Sequence, residues 1–260
     1  MRNVRILVAY DGSRFFGWQR QSGFVSVQES LEDGLLALLG ERIVVHGSGR
    51  TDTGVHALRQ VASFHVDTRL DDDRLCNALN AHLPEGVVVR ALETCADDFH
   101  ARFSARGKRY AYCIARTRFA SPFVAGRAWW VREPLDVARM RAAAARLVGT
   151  HDFSAFESAG SPRSSSVRTL RRVRWLVRRE RVALVLEADG FLYNMARSIA
   201  GTLADAGRGK LGPDEVAAVL ASRDRRRAGQ TAPAHGLYLV RVLYAEPCFA
   251  GLEGRGGRRN

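Results

Sequence analysis

Apolar side chains recur along this chain with two periods, one typical of strands and one typical of helices. Residues 4–10 alternate between apolar and basic side chains and stop at Asp11-Gly12, which predicts a strand that ends in a turn. Ser26 precedes a run of leucines at helical spacing that ends at Gly40, so we predict a capped helix over 27–39. By the same criteria we predict strands at 42–45, 60–66, 87–92, 109–115, 173–179, 181–187 and 237–244, and helices at 71–82, 135–148, 195–203 and 213–222.

These elements predict an α+β fold. Strands and helices of similar length recur in both parts of the chain, so we expect two similar halves. Each half is predicted to be a mainly antiparallel sheet with helices on one face. We place an N-terminal subdomain at 1–105 and a C-terminal subdomain at 106–246. Residues 247–260 are rich in Gly and Arg, a composition that predicts a mobile tail.

The chain is strongly basic. Forty Lys and Arg against 27 Asp and Glu give a formal net charge of +13, and the sequence pI is near 10.6, which indicates a nucleic-acid partner. Most of these cations are Arg, whose planar guanidinium binds phosphate and stacks on bases, and this favours RNA over a membrane surface. A genome rich in G and C is an alternative source of the arginines. The Arg-rich segment 223–227 is either an RNA contact or a solvated helix end.

Several classes of protein are disfavoured. No apolar run reaches the ~18–20 residues needed to cross a bilayer. The first eight residues resemble a strand and not a signal peptide, so we expect a cytoplasmic protein. The four cysteines lie far apart, without the C-x-x-C spacing of zinc or redox sites. The cysteines therefore give no indication of a metal or redox site.

A glycine-rich loop at 47–54 carries an isolated acid, Asp52, two residues after Arg50. A nearby guanidinium favours the ionised carboxylate, so an Asp held in such a loop is a candidate nucleophile or base. The alternative is structural, because an Asp in a loop often accepts hydrogen bonds from nearby backbone N–H groups.

Other motifs are spread along the chain on both sides of this loop. They are Tyr10-Asp11-Gly12-Ser13, Gly17-Trp18-Gln19-Arg20-Gln21, Val27-Gln28-Glu29, Asp98-Phe99-His100-Ala101-Arg102-Phe103-Ser104-Ala105, Arg109-Tyr110-x-Tyr112, Phe191-Leu192-Tyr193-Asn194-Met195-x-Arg197 and Gly236-Leu237-Tyr238-Leu239-Val240. Together with Gly49-Arg50-Thr51-Asp52-Thr53-Gly54-Val55-His56 they resemble, in order, the motifs of the tRNA pseudouridine synthase A family. The resemblance extends from about residue 4 to about residue 246.

The resemblance implies a role for individual residues. It makes Asp52 the catalytic carboxylate and Arg50 a neighbour that binds RNA and helps to open the base stack. Tyr110 would stack on the target uracil, and Arg197 would pair with Asp52. Leu237 and Leu239 would contribute an apolar wall of the substrate pocket.

The resemblance also implies a fold, a substrate and an assembly. Members of this family isomerise uridine at positions 38, 39 and 40 in the anticodon arm of tRNA, without a cofactor. Their two halves have sheets that meet around a central RNA-binding cleft, and a symmetric homodimer is expected. A stem uridine has to be flipped out before it can react, which costs a few kcal/mol that stacking on an aromatic side chain can offset.

Three other functions compete with this interpretation. Asp52-Thr53-Gly54 is also the tripeptide of aspartic proteases, but the chain lacks the second copy that the protease mechanism requires. Residues 71–73 and His151-Asp152 could bind a metal in a phosphodiester hydrolase, although acids at a helix start explain 71–73 as well. A non-catalytic RNA-binding module would fit the charge, but an anionic Asp52 would weaken simple RNA binding.

Overall fold

The structure, a computed structural model, describes residues 1–160 and 165–250. The α+β fold predicted from the sequence is confirmed. The chain divides into two compact units, the first formed by Met1–Arg106 together with the chain from Leu239 onward, and the second by Gly107–Tyr238. Of the predicted tail at 247–260, residues 251–260 lie outside the described residues.

The secondary structure follows the predicted alternation. The strands in the described part of the chain are β1 (Arg2–Tyr10), β2 (His46–Gly47), β3 (His56–Val66), β4 (Val87–Thr94), β5 (Gly107–Ala115), β6 (Trp129–Trp130), β7 (Gly149–Asp152), β8 (Val167–Val177), β9 (Arg181–Ala188) and β10 (Leu237–Leu243). The α-helices there are α1 (Val27–Leu39), α2 (Asp72–Ala81), α3 (Val137–Ala145), α4 (Met195–Gly207) and α5 (Pro213–Ser222).

The sheet of the first unit has the strand order β4-β1-β3-β10. β1 pairs antiparallel with β3 and β4, and the short β2 pairs antiparallel with the far end of β3. Its two helices begin at side-chain caps: Ser26 accepts a hydrogen bond from the Glu29 N–H, and Asp71 accepts one from the Arg74 N–H. Asn80 of α2 bonds both backbone groups of Val89, which fixes the helix to the edge strand β4. The core of this unit contains the fully buried Val4, Ile6, Val8, Leu31, Leu35, Leu75 and Leu79.

The strand predicted at 42–45 is wrong. Ile43 and Val45 are buried, but the pairing with β3 involves only His46 and Gly47. The carboxylate of Glu32, on α1, accepts a hydrogen bond from the Val45 N–H at 3.1 Å and so replaces a strand partner. The apolar alternation here reflects side-chain packing and not a strand ladder.

The sheet of the second unit has the order β5-β9-β8-β7, with antiparallel pairing throughout. The short β6 pairs with β5 in parallel. In this unit α4 contacts β5, α3 contacts β8 and α5 contacts β7. Fully buried apolar side chains from helices and strands fill the space between them, among them Met140, Leu170, Ile199 and Leu203.

Three predicted elements in the second unit differ from the structure by several residues at their ends. The helix predicted over 135–148 begins only after Asp136, whose carboxylate caps the N–H groups of Ala138 and Arg139. The strand predicted over 173–179 is β8, which starts earlier and ends before the turn closed between Arg178 and Arg181. The helix predicted over 195–203 continues for four further residues.

The described part of the chain contains no helix that is long and apolar enough to cross a membrane. Its four cysteines are free thiols, each partly buried.

Candidate active site

The loop that carries Asp52 connects β2 to β3 in the first unit and is anchored on both sides of the acid. Before it, the Thr51 carbonyl accepts a hydrogen bond from the Trp18 N–H at 3.0 Å. After it, the Gly54 N–H donates to the Gly12 carbonyl at 3.2 Å. The Asp52 carbonyl itself accepts from the Val55 N–H at 3.0 Å, which closes a turn around the side chain. Asp52 is half-buried, at the point where these backbone hydrogen bonds fix the loop.

Two buried aromatic residues, Tyr10 and Trp18, pack against this loop. The Tyr10 hydroxyl and the Thr51 hydroxyl are hydrogen-bonded at 2.7 Å. Burial raises the pKa of Tyr10 above its usual value, so the phenol remains neutral at physiological pH. The rings of Tyr10 and Trp18 lie 6.1 Å apart, and Trp18 packs against Gly47 so closely that a Cβ there would meet its indole at 2.4 Å. The residue before Asp52 is thus fixed by a hydrogen bond to the core.

The first half of the loop is fixed by a buried amide. The Ser48 hydroxyl donates to Oε1 of Gln60 at 2.6 Å, and Nε2 of Gln60 donates to the Gly49 carbonyl at 2.9 Å. Ser48 and Gln60 are almost completely buried. Since buried polar groups are costly when unpaired, this network favours one loop conformation. Arg50 follows Gly49 and is exposed. Its backbone is therefore adjacent to a fixed part of the loop.

The chain at Gly17 lies against the part of the loop next to Asp52. Gly17 has φ +81°, and a Cβ at this position would lie 2.6 Å from the Thr51 carbonyl oxygen. Only glycine satisfies both conditions without strain. Tyr10, Gly12 and Gly17 belong to the motif at 10–21, so the opening motif of the chain provides the support of the Asp52 loop. Sequence reasoning noted this motif but gave it no structural role.

Tyr110 lies on β5 of the second unit. Its side chain is 8% exposed and packs edge-to-face against Phe191, with ring centroids 4.9 Å apart. On the neighbouring strand β9, Leu186 is its register partner. The aromatic ring that sequence reasoning assigns to the uracil is therefore held rigidly, with only a small part of its surface exposed.

Arg197 lies in the first turns of α4 in the second unit. Its Nε donates to the Ala232 carbonyl at 2.8 Å, and its Nη1 donates to Oδ1 of Asn194 at 2.6 Å. Asn194 precedes the helix in a left-handed conformation, with φ 61°. Burial raises the pKa of the nearby Tyr112, and the positive charge of Arg197 offsets only part of that rise. These contacts hold the guanidinium in one orientation.

The predicted residues are divided between the two units. Asp52 and Arg50 share one loop of the first unit, whereas Tyr110 and Arg197 belong to the second. The two leucines at the start of β10 fall on either side of the boundary, and both are buried, Leu237 to 6% exposure and Leu239 to 1%. Their burial agrees with an apolar wall or with an ordinary core position.

The competing candidate groups have structural partners. Asp71 is the cap of α2, as acids at a helix start suggest. Asp152 accepts from the Ser154 N–H and lies 3.2 Å from Nε of Arg223. Arg225 donates to Thr231 and to the Gly229 carbonyl, so it ties down its own turn. Among the described residues, no group of three or more His, Cys, Asp or Glu side chains could hold a metal ion.

A family model and individual relatives of this chain agree on one family. The family described as tRNA pseudouridine synthase matches residues 6–104 and 143–245. A relative named tRNA pseudouridine synthase A from Thermoanaerobacter sp. (strain X514) is 45% identical over 244 residues, covering 94% of this chain and 100% of the relative. The proteins of the same name from Acetivibrio thermocellus and Rhizobium leguminosarum bv. trifolii are also 45% identical. They cover 94% and 95% of this chain, and 100% and 93% of their own lengths.

Proposed function

This chain belongs to the tRNA pseudouridine synthase A family, and we propose that it converts uridine to pseudouridine at positions 38, 39 and 40 in the anticodon arm of tRNAs. It is an isomerase. The observation that carries the proposal is the near-complete match to these synthases, with the family's acid, Asp52, on a loop held by buried hydrogen bonds. The strongly positive charge supports an RNA substrate.

The proposed reaction is balanced without any co-reactant. The bond between C1′ of the ribose and N1 of the uracil breaks, the base rotates, and C1′ bonds to C5. The proton on C5 leaves and N1 gains one, so substrate and product have the same composition. Asp52 can attack C1′, attack C6 of the base, or stabilise a cationic sugar while the base is detached. All three roles require an ionised carboxylate.

The remaining site residues are proposed to bind the substrate. Arg50, exposed on the Asp52 loop, would contact RNA and hold the stack open after the uridine leaves it. Tyr110 would offer an aromatic surface to the uracil, and stacking of a base on such a ring is worth about 1–3 kcal/mol. Arg197 would contribute positive charge, and Leu237 and Leu239 an apolar wall.

Mapping of pseudouridine tests the proposed positions. In tRNA from cells that lack this protein, we expect pseudouridine to be absent at positions 38, 39 and 40 and unchanged elsewhere. A plasmid that encodes the wild-type chain should restore it, whereas one that encodes Asp52→Asn should not. Loss at other positions would refute the assignment to the anticodon arm. An unchanged map would refute the proposal that tRNA is the substrate.

A symmetric homodimer is also proposed. The support is that an L-shaped tRNA is larger than one chain of this size can grip, and most soluble oligomers are closed and symmetric. Light scattering is expected to give twice the 28.7 kDa of one chain. A stable monomer that still modifies tRNA would contradict this.

The alternative function is an RNA-binding module without catalysis, and Asp52 separates the two. A negative charge on a basic surface repels the RNA backbone, so binding alone gives no reason for it. We also propose a cytoplasmic location, because tRNA is the substrate.

A further inference from the structure

A run of ring contacts lies on the surface of the first unit, in the motif at 98–105 to which the proposed function gives no role. The rings of His46 and His100 are 5.1 Å apart, and those of His100 and Phe103 are 4.4 Å apart. The guanidinium of Arg102 lies 5.6 Å from the centroid of Phe103. We call His46, His100, Arg102 and Phe103 the ring stack. Phe103 is 76% exposed, so the stack presents an aromatic ring to the solvent.

Hydrogen bonds build this arrangement. Nδ1 of His100 accepts from the N–H groups of Arg102 and Phe103, at 3.1 and 3.4 Å. The His100 N–H donates to the Ser104 hydroxyl at 3.1 Å, and the Ser104 N–H donates back to the His100 carbonyl at 2.9 Å. These hydrogen bonds join His100 to each of Arg102, Phe103 and Ser104, so the backbone that carries the exposed Phe103 ring is ordered.

The turn is also fixed to the sheet through Ala101, which is fully buried. The Ala101 N–H donates to the hydroxyl of Ser63, on β3, at 3.0 Å. Its carbonyl accepts from the Tyr244 hydroxyl at 2.7 Å. Preorganised aromatic surfaces bind more tightly because little conformational entropy is lost on binding. The turn that carries the exposed Phe103 ring is therefore anchored both by its own backbone hydrogen bonds and by hydrogen bonds to the sheet.

The electrostatics of the stack come from His46 and Arg102 beside the rings and from two acids earlier in the segment. Burial, His46 and Arg102 together lower the pKa of His100, so its imidazole is neutral at physiological pH and Nδ1 is free of a proton to accept hydrogen bonds from the N–H groups of Arg102 and Phe103. Asp97 and Asp98 are exposed earlier in the same segment, whereas the charged groups that act on the His100 ring are the cationic or basic His46 and Arg102. Aromatic rings beside a guanidinium are the surface on which unpaired RNA bases stack.

We propose that the ring stack is a second RNA contact, on which an unpaired base of the bound tRNA stacks while another nucleotide reacts at Asp52. His46 and Asp52 are six residues apart, and an extended chain of that length spans at most about 20 Å. One arm of an RNA can reach both. The identity of the RNA as tRNA rests on the proposed function, but the stacking itself does not.

Fluorescent tRNA tests this contact. Full-length tRNA carries 2-aminopurine at each unpaired anticodon-loop position in turn, and its fluorescence and dissociation constant are measured with the full-length protein. Phe103→Ala is expected to weaken binding about 5- to 150-fold and to remove the fluorescence change at one position. Phe103→Trp, which keeps an aromatic surface, should bind like the wild type.

Phe119→Ala is the matched control. Phe119 is 71% exposed and lies under the guanidinium of Arg118 at 5.0 Å, so it resembles Phe103 without the histidines. It should bind tRNA like the wild type. The proposal is overturned if Phe103→Ala binds like the wild type, or if Phe119→Ala weakens binding equally. If only Phe103→Ala weakens binding but the wild type forms no pseudouridine, the RNA contact stands and the proposed function fails.

Discussion

Replacing Asp52 by Asn is expected to reduce pseudouridine formation by at least about 10⁴-fold, in line with the loss of essential groups in other enzymes. The amide has nearly the same shape, so the hydrogen bonds of Thr51 and Val55 that hold the loop should remain. It carries no charge and is a poor nucleophile, so all three proposed roles of the carboxylate are lost. Release of tritium from tRNA labelled at C5 of uridine measures the effect directly.

The affinity of the same variant for tRNA should stay within a few-fold of the wild type, because the change removes a negative charge from a basic protein. Asp67→Asn is the matched control. Its side chain is 83% exposed and lies 3.4 Å from the terminal amine. Asp67 belongs to the same unit but follows the end of β3, whereas the Asp52 loop precedes its start. It should release tritium at the wild-type rate. Appreciable turnover by Asp52→Asn would remove Asp52 from the mechanism.

Gly17→Ala is expected to reduce kcat by about 10²-fold, although residue 17 makes no contact with the substrate in the proposed mechanism. The added methyl group would lie 2.6 Å from the Thr51 carbonyl oxygen and 3.3 Å from the Asp52 carbonyl carbon. The loop has to move to relieve this clash, and a displacement of about 1 Å at a reacting group can cost this much. Single-turnover tritium release on saturating tRNA measures the rate of the chemical step.

Gly23→Ala separates this displacement from backbone strain. Gly23 has φ +82°, close to that of Gly17, but a Cβ there would meet no heavy atom within 4 Å. Backbone strain should therefore cost both variants about 1 kcal/mol of unfolding free energy, measured as a lower melting temperature, and the clash with Thr51 should add to this loss in Gly17→Ala. Only Gly17→Ala should lose activity. Equal activity in the two variants would show that the contact with Thr51 does not position Asp52.

Local sequence signals were sufficient to predict the elements whose capping residues are adjacent to them in sequence. α1 has the predicted bounds because the Ser26 cap and the left-handed Gly40 are adjacent to it in sequence. The error at 42–45 has a distant cause. Glu32 is completely buried, forms an ion pair with Arg20 at 2.7 Å and takes the N–H of Val45. No local pattern shows that a carboxylate on the preceding helix will replace a strand partner.

The candidate site shows the same division. The loop, its acid and the neighbouring Arg50 are contiguous, so their chemistry can be predicted from one motif. The support of the loop is not contiguous, because Tyr10 and Thr51 are 41 positions apart and meet only after β1 and β3 have paired. The small exposed fraction of Tyr110 likewise follows from its packing against Phe191, which residue types alone do not specify.

The position of β10 also has a consequence during synthesis on the ribosome. β3 receives β10 as a neighbour, yet the whole of the second unit is translated between these two strands. Until then a nascent chain has an open edge on β3, and open edges recruit strands of other molecules. Premature termination between Val66 and Leu237 would therefore release a protein that keeps the Asp52 loop but has an aggregation-prone sheet edge.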